Sequence, residues 1–70
     1  MTYNNKDISY RIKTELKSKN IPLKKMLSDL GLGINYISEF SKGQTISCIN
    51  LARIADYLDC SIDYLMGRDN

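Results

Sequence analysis

The chain has 70 residues, enough for one small domain with a modest core and little room for a deep catalytic cleft. It holds no histidine, and Cys48 and Cys60 make no set of metal ligands, so the commonest general base and a zinc site are excluded and neither an enzyme nor a cofactor is expected. Ten Lys and Arg stand against eight Asp and Glu, a net charge of +2 that leaves the chain neither strongly basic nor acidic.

The polar start MTYNNKDIS speaks against a signal peptide, and no apolar run is long enough to span a membrane, so a cytoplasmic protein with reduced core cysteines and no membrane partner is expected. Residues 1–6 read as a flexible segment. Ile8, Ile12 and Leu16 recur every four residues and predict a first helix over 7–19, stopped by Asn20. Pro22 suits the start of a second helix, in which Leu23, Met26, Leu27 and Leu30 fall on one face and Gly31 forms a left-handed cap. A third helix begins next to Gly33, buries Ile37 and Phe40, and ends at Gly43.

After a loop over 44–46, Ser47 is the expected cap of a fourth helix whose apolar face is Cys48, Leu51, Ile54, Ala55 and Leu58. Ser61 caps a fifth, with Asp63 favourable in its first turn and Ile62, Leu65 and Met66 turned inward. Gly67 ends the order, and 68–70 are expected to fray. β-Branched residues are scattered singly and no window alternates. The fold class is therefore all-α, a compact five-helix bundle over 7–67. Tyr3, Tyr10, Tyr57 and Tyr64 are expected in the core or at its rim.

In SDLGLGINYISEFSKG (28–43), Gly31-Leu32-Gly33 breaks a helical pattern for three residues, and the pattern resumes with Ile34 and Ile37. Two helices joined by so short a turn with glycine, held at a fixed angle, form a helix-turn-helix, although an ordinary corner in a bundle has the same ingredients. Charge is uneven. Residues 1–35 carry Lys6, Arg11, Lys13, Lys17, Lys19, Lys24 and Lys25 against Asp7, Glu15 and Asp29, a net +4. Residues 36–70 carry Lys42, Arg53 and Arg68 against Glu39, Asp56, Asp59, Asp63 and Asp69, a net −2. The basic half suits a polyanion, and equally a solvated surface.

From Leu23 to Gly67 the sequence resembles the Cro/phage-repressor family of helix-turn-helix DNA-binding domains. Met26-Leu27 stand at that family's leucine-alanine pair and Gly31 at its turn glycine. Ile37-Ser38 match its isoleucine-serine pair and Gly43 the glycine after the third helix. Leu51-Ala52-Arg53-Ile54-Ala55 and Leu58 follow its fourth-helix pattern, and Cys60-Ser61-Ile62-Asp63-Tyr64-Leu65-Met66-Gly67 looks like its last helix. The departures are Leu23 for a glutamine, Leu27 for an alanine, Ser41 for a glutamate and Leu16 for an arginine. The last two replace residues that pair in some members, so neither is left as an uncompensated charge.

The resemblance implies a lambda-repressor-like bundle whose third helix enters the major groove of double-stranded DNA. On that basis base edges are met by Gly33, Ile34, Asn35, Tyr36 and Glu39, and phosphates by Lys24, Ser38, Lys42, Gln44 and Thr45. An Asn35 amide can hold adenine N6 and N7 together, and Ile34 can meet a thymine methyl. Glu39 either accepts from cytosine N4 or is a solvated helix residue, and Tyr36 either touches the sugar-phosphate or packs on Phe40. The implied protein is a sequence-specific transcriptional regulator, a repressor, with no small-molecule ligand because 70 residues leave no room for a sensing domain. It would be a homodimer through the C-terminal helix region near Tyr64 and Met66. The rival reading is a protein-interaction or antitoxin-like module with weak DNA binding.

Overall fold

The structure, a computed structural model, describes residues 3–68. The expected fraying of Asp69 and Asn70, and Met1 and Thr2 of the expected flexible start, lie outside the described residues. Five helices follow in chain order: α1 (Asn5–Ser18), α2 (Leu23–Leu30), α3 (Tyr36–Ser41), α4 (Cys48–Leu58) and α5 (Ile62–Met66). Among the described residues there is no strand.

The first helix starts earlier than its apolar pattern predicts. Asn4 has extended backbone, and its side-chain oxygen accepts from the N–H groups of Lys6 at 2.8 Å and Asp7 at 3.4 Å. That satisfies two donors the helix cannot pair itself, so the start is set by the cap and not by the first apolar residue, Ile8. Ser47 and Ser61 cap α4 and α5 as expected, accepting from the N–H of Asn50 and Tyr64 respectively.

All five helices stop in the same way. A residue with positive φ follows the last turn: Asn20, Gly31, Gly43, Asp59 or Gly67. The next residue's N–H then returns to a carbonyl five positions back, Ile21 to Leu16, Leu32 to Leu27, Gln44 to Glu39, Cys60 to Ala55 and Arg68 to Asp63. These bonds use carbonyls that would otherwise be orphaned at the helix end. Glycine is required most strictly at Gly43, whose φ of +120° lies far beyond the +58° and +54° that Asn20 and Asp59 adopt; at Gly67 a Cβ would meet only the flexible end of Arg11, at 2.7 Å.

The core is one cluster drawn from every helix. It holds Ile8, Ile12 and Leu16 of α1, Met26 and Leu27 of α2, and Ile37 and Phe40 of α3. Leu51, Ile54, Ala55 and Leu58 of α4 and Leu65 of α5 complete it. Of the four departures from the related pattern, Leu16 and Leu27 are buried, and Leu23 and Ser41 are half-buried. α1 lies against α3, α4 and α5, while α2 lies against α4.

Some expected core residues lie elsewhere. Cys48 is exposed and Cys60 half-buried, both as free thiols. Cys48 points the right way by periodicity, but it sits in the first turn of α4 and lines an open depression beside Phe40, Leu51 and Met66. Burial, followed by the Glu15 charge, pushes the Cys60 thiol up from its ordinary range. Ile62 is 41% exposed, because in a helix as short as α5 only Leu65 reaches the centre. Tyr10, at 71%, is on the open face of α1. Ser9 is buried at 3%, and its hydroxyl has no hydrogen-bond partner among the described residues.

Candidate nucleic-acid interface

The break between α2 and α3 spans residues 31–35, five positions and not three. Leu32 N–H closes the end of α2 on the Leu27 carbonyl at 2.8 Å. A second turn then forms before the helix, with the Tyr36 N–H on the Gly33 carbonyl at 3.0 Å. Ile34 and Asn35 therefore belong to the turn. Asn35 is the cap position of α3, accepting the Glu39 N–H on its carbonyl at 2.8 Å, but its side chain makes no cap bond. Its exposed amide has no hydrogen-bond partner among the described residues and is open to another.

On α3, Ile37 and Phe40 face inward. Asn35, Ser38, Glu39 and Lys42 recur at i, i+3, i+4 and i+7 and are all exposed, so they share the outer face. Ile34 is 70% exposed, and open space surrounds Gly33. Gln44 and Thr45 are exposed in the loop after α3. Lys24, exposed at the start of α2, shares a shallow depression with Ile34. Tyr36 stands apart from these. It is half-buried, and its hydroxyl accepts from Asn50 Nδ2 at 3.0 Å, which ties it to α4.

That contact belongs to a relay which fixes the angle of the turn. Arg53 Nη1 donates to Asn50 Oδ1 at 3.2 Å, and Arg53 Nη2 donates to the carbonyl of Leu30, the last residue of α2. Cations suit the negative end of a helix, so Arg53 both caps α2 and holds Asn50 toward Tyr36. One turn further along α4, the Tyr57 hydroxyl donates to Asp29 Oδ2 at 2.7 Å, and Lys25 Nζ reaches the same oxygen at 3.1 Å. The Tyr57 hydroxyl, followed by Lys25, holds the Asp29 carboxyl below its ordinary range, and Asp29 in turn raises Tyr57 and Lys25 above theirs.

The far end of α3 is held from α1. Asn5 Nδ2 donates to the carbonyls of Phe40 at 2.9 Å and Gln44 at 3.0 Å. None of Asn5, Asn50, Arg53 and Tyr57 was expected to support this site. For the α4 residues a signal existed, since Asn50, Arg53 and Tyr57 fall at i, i+3 and i+7 beside the apolar face. For Asn5, 35 positions from Phe40, local pattern carries none.

Lys19 and Lys25 are paired with Glu15 and Asp29. Lys24 and Lys42, which flank α3, have no ion pair among the described residues. Among those residues no helix is long and apolar enough to cross a membrane. A family model described as a Cro/C1-type HTH DNA-binding domain matches residues 11–69. No curated protein and no solved structure matches the chain.

Proposed function

The chain belongs to the Cro/C1-type helix-turn-helix DNA-binding domains, and from that premise we propose that it is a sequence-specific transcriptional repressor that reads its operator with α3 in the major groove. The observation that carries this reading is the outer face of α3. Ser38 and Glu39 on α3 stand exposed together with its two cap residues, Asn35 and Lys42, and the helix is tied at both ends, by Tyr36–Asn50 and by Asn5. A major groove about 12 Å wide admits one α-helix, and a helix held at a fixed angle can aim side chains at base edges.

In this reading Asn35 discriminates, because its free amide can bond two groups of one adenine. Ile34 meets a thymine methyl, and Gly33 and Glu39 line the same edge. Lys24, Ser38, Lys42, Gln44 and Thr45 hold phosphates. Tyr36 keeps its hydroxyl on Asn50 and meets the sugar-phosphate with the part of its half-buried ring left uncovered. One helix covers few base pairs, so the protein binds as a homodimer on a two-fold site, joined through the α5 region, and the exposed Ile62 supports that surface.

Binding by Asn35→Ala and Lys42→Ala to single-base variants of a site selected from random DNA tests the assignment. Asn35→Ala should cost about 1–3 kcal/mol on the best site and relax the preference at one position. Lys42→Ala should weaken every sequence by a similar factor and reduce the salt slope by about one per protomer. The reverse pattern would sink the orientation given to α3. Glu39, exposed and without an ion pair among the described residues on the same face, favours a second reading, an interaction or antitoxin-like module with weak DNA binding. Absence of any shift on random DNA at low salt would decide for it.

A further inference from the structure

Most of the positive charge of the first half of the chain is not beside α3. Lys6, Tyr10, Lys13 and Lys17 recur at i, i+4, i+7 and i+11 on α1, and all are exposed. This face is opposite Ile8, Ile12 and Leu16, which pack into the core. The three lysines have no ion pair among the described residues. Glu15, the acid further along the helix, is engaged by Lys19 at 3.0 Å. Like charges on one exposed helix face repel, so the arrangement costs stability unless an anion is at hand. From Lys6 to Lys17 the row is roughly 16 Å long at 1.5 Å per residue.

The row begins at a particular place. Asn5, immediately before Lys6, is bonded to the carbonyls of Phe40 and Gln44. The start of α1 is thus fixed against the segment that carries Lys42, Gln44 and Thr45. We propose that the outer face of α1 is a second phosphate-binding surface, on which Lys6, Lys13 and Lys17 follow the backbone of the same duplex into the flank of the site, with the Tyr10 hydroxyl donating between them. The inference rests on the DNA-binding reading of α3. Its partner is the duplex flank because the row continues from the phosphate-holding loop, and because phosphate contacts need charge without base complementarity.

The test compares wild type with a Lys6→Gln/Lys13→Gln/Lys17→Gln variant on the selected site in two duplex lengths. One duplex is trimmed to the site, and the other is extended by about ten base pairs, roughly one helical turn, on each side. All three positions are exposed, and a thermal melt of the variant verifies the fold. On the extended duplex the variant's slope of log K against log salt should be shallower by roughly 5 for the dimer, three lysines per protomer at roughly 0.9 per phosphate lost. On the trimmed duplex the two slopes should coincide, and the preferred bases should not change on either.

Equal slopes on the extended duplex, with wild type still binding, would overturn this inference and leave the α3 reading standing. No wild-type binding at low salt would overturn both. A slow-migrating species with two duplexes, lost in the variant, would assign the face to a second DNA segment instead. Stripe-dependent binding of a poly-glutamate peptide with unchanged DNA slopes would assign it to an acidic protein.

Discussion

The two ends of α3 are held by different chemistry. At its start the connection runs from side chain to side chain, Tyr36 to Asn50 to Arg53, and only then to backbone at Leu30. At its far end a single amide, Asn5, grips two backbone carbonyls directly. A relay of side chains can change rotamer without moving the main chain, whereas a bond to two carbonyls fixes the main chain itself. On the proposed reading the start of α3 meets bases, which differ from site to site, and its end meets phosphates, which do not. The adjustable support stands under the variable ligand and the rigid one under the invariant ligand.

The strongest way to break that contrast is Asn5→Ala. It removes two hydrogen bonds at about 1 kcal/mol each, so stability should fall by about 2 kcal/mol. The urea midpoint would drop while the m-value stays constant. An unchanged midpoint would mean that the loop after α3 holds its shape without α1. One turn along the same helix, Ser9→Ala should act with the opposite sign. It deletes a buried hydroxyl that has no partner among the described residues, and a gain of about 1 kcal/mol in the same titration is expected. A loss would mean that the hydroxyl is bonded in solution.

The relay at the start of α3 is best examined by a double-mutant cycle of Tyr36→Phe and Arg53→Ala. If Asn50 transmits between them, the coupling should be about 0.5 kcal/mol or more, and strictly additive effects would show two independent contacts. The finest effect concerns Asp29. Its carboxyl is held below the ordinary 3.8, mainly by Tyr57, so its contribution to stability is complete above pH 3.8 and fades as pH falls through the lowered folded value. Tyr57 is raised above 10.0, so its contribution is complete below that pH and fades as pH rises through the raised value. Tyr57→Phe should move the Asp29 midpoint upward in an NMR titration, and a midpoint that stays in place would remove Tyr57 as its donor.

Much of this architecture is written in short stretches. Gly31, Gly43, Gly67 and Asn20 announce the stops, and Ser47 and Ser61 announce the starts, because each acts on backbone within a few positions of itself. The outer face of α3 follows equally from its period. Asp59 escapes the pattern, since nothing adjacent distinguishes an aspartate with φ +54° from one in a helix. Ile34 misleads, because its apolar side chain fits the helical period yet is 70% exposed in a turn. Asn4 lies four positions before Ile8, so apolar spacing places the start of α1 too late. The supports of α3 required knowing that α4 crosses the end of α2 and that α1 starts beside the end of α3. Such contacts join residues 14 to 39 positions apart and leave no periodic trace.

The repeated left-handed stop also bears on how quickly the chain finds its fold. Each of the five helix ends is closed by a bond between residues five apart, so the punctuation can form before any helix meets another. Little loop-closure entropy then has to be lost ahead of the first rewarding contact. Helical proteins dominated by local contacts fold in roughly microseconds to milliseconds, and this chain, with its corners drawn by its own neighbouring residues, belongs at that fast end.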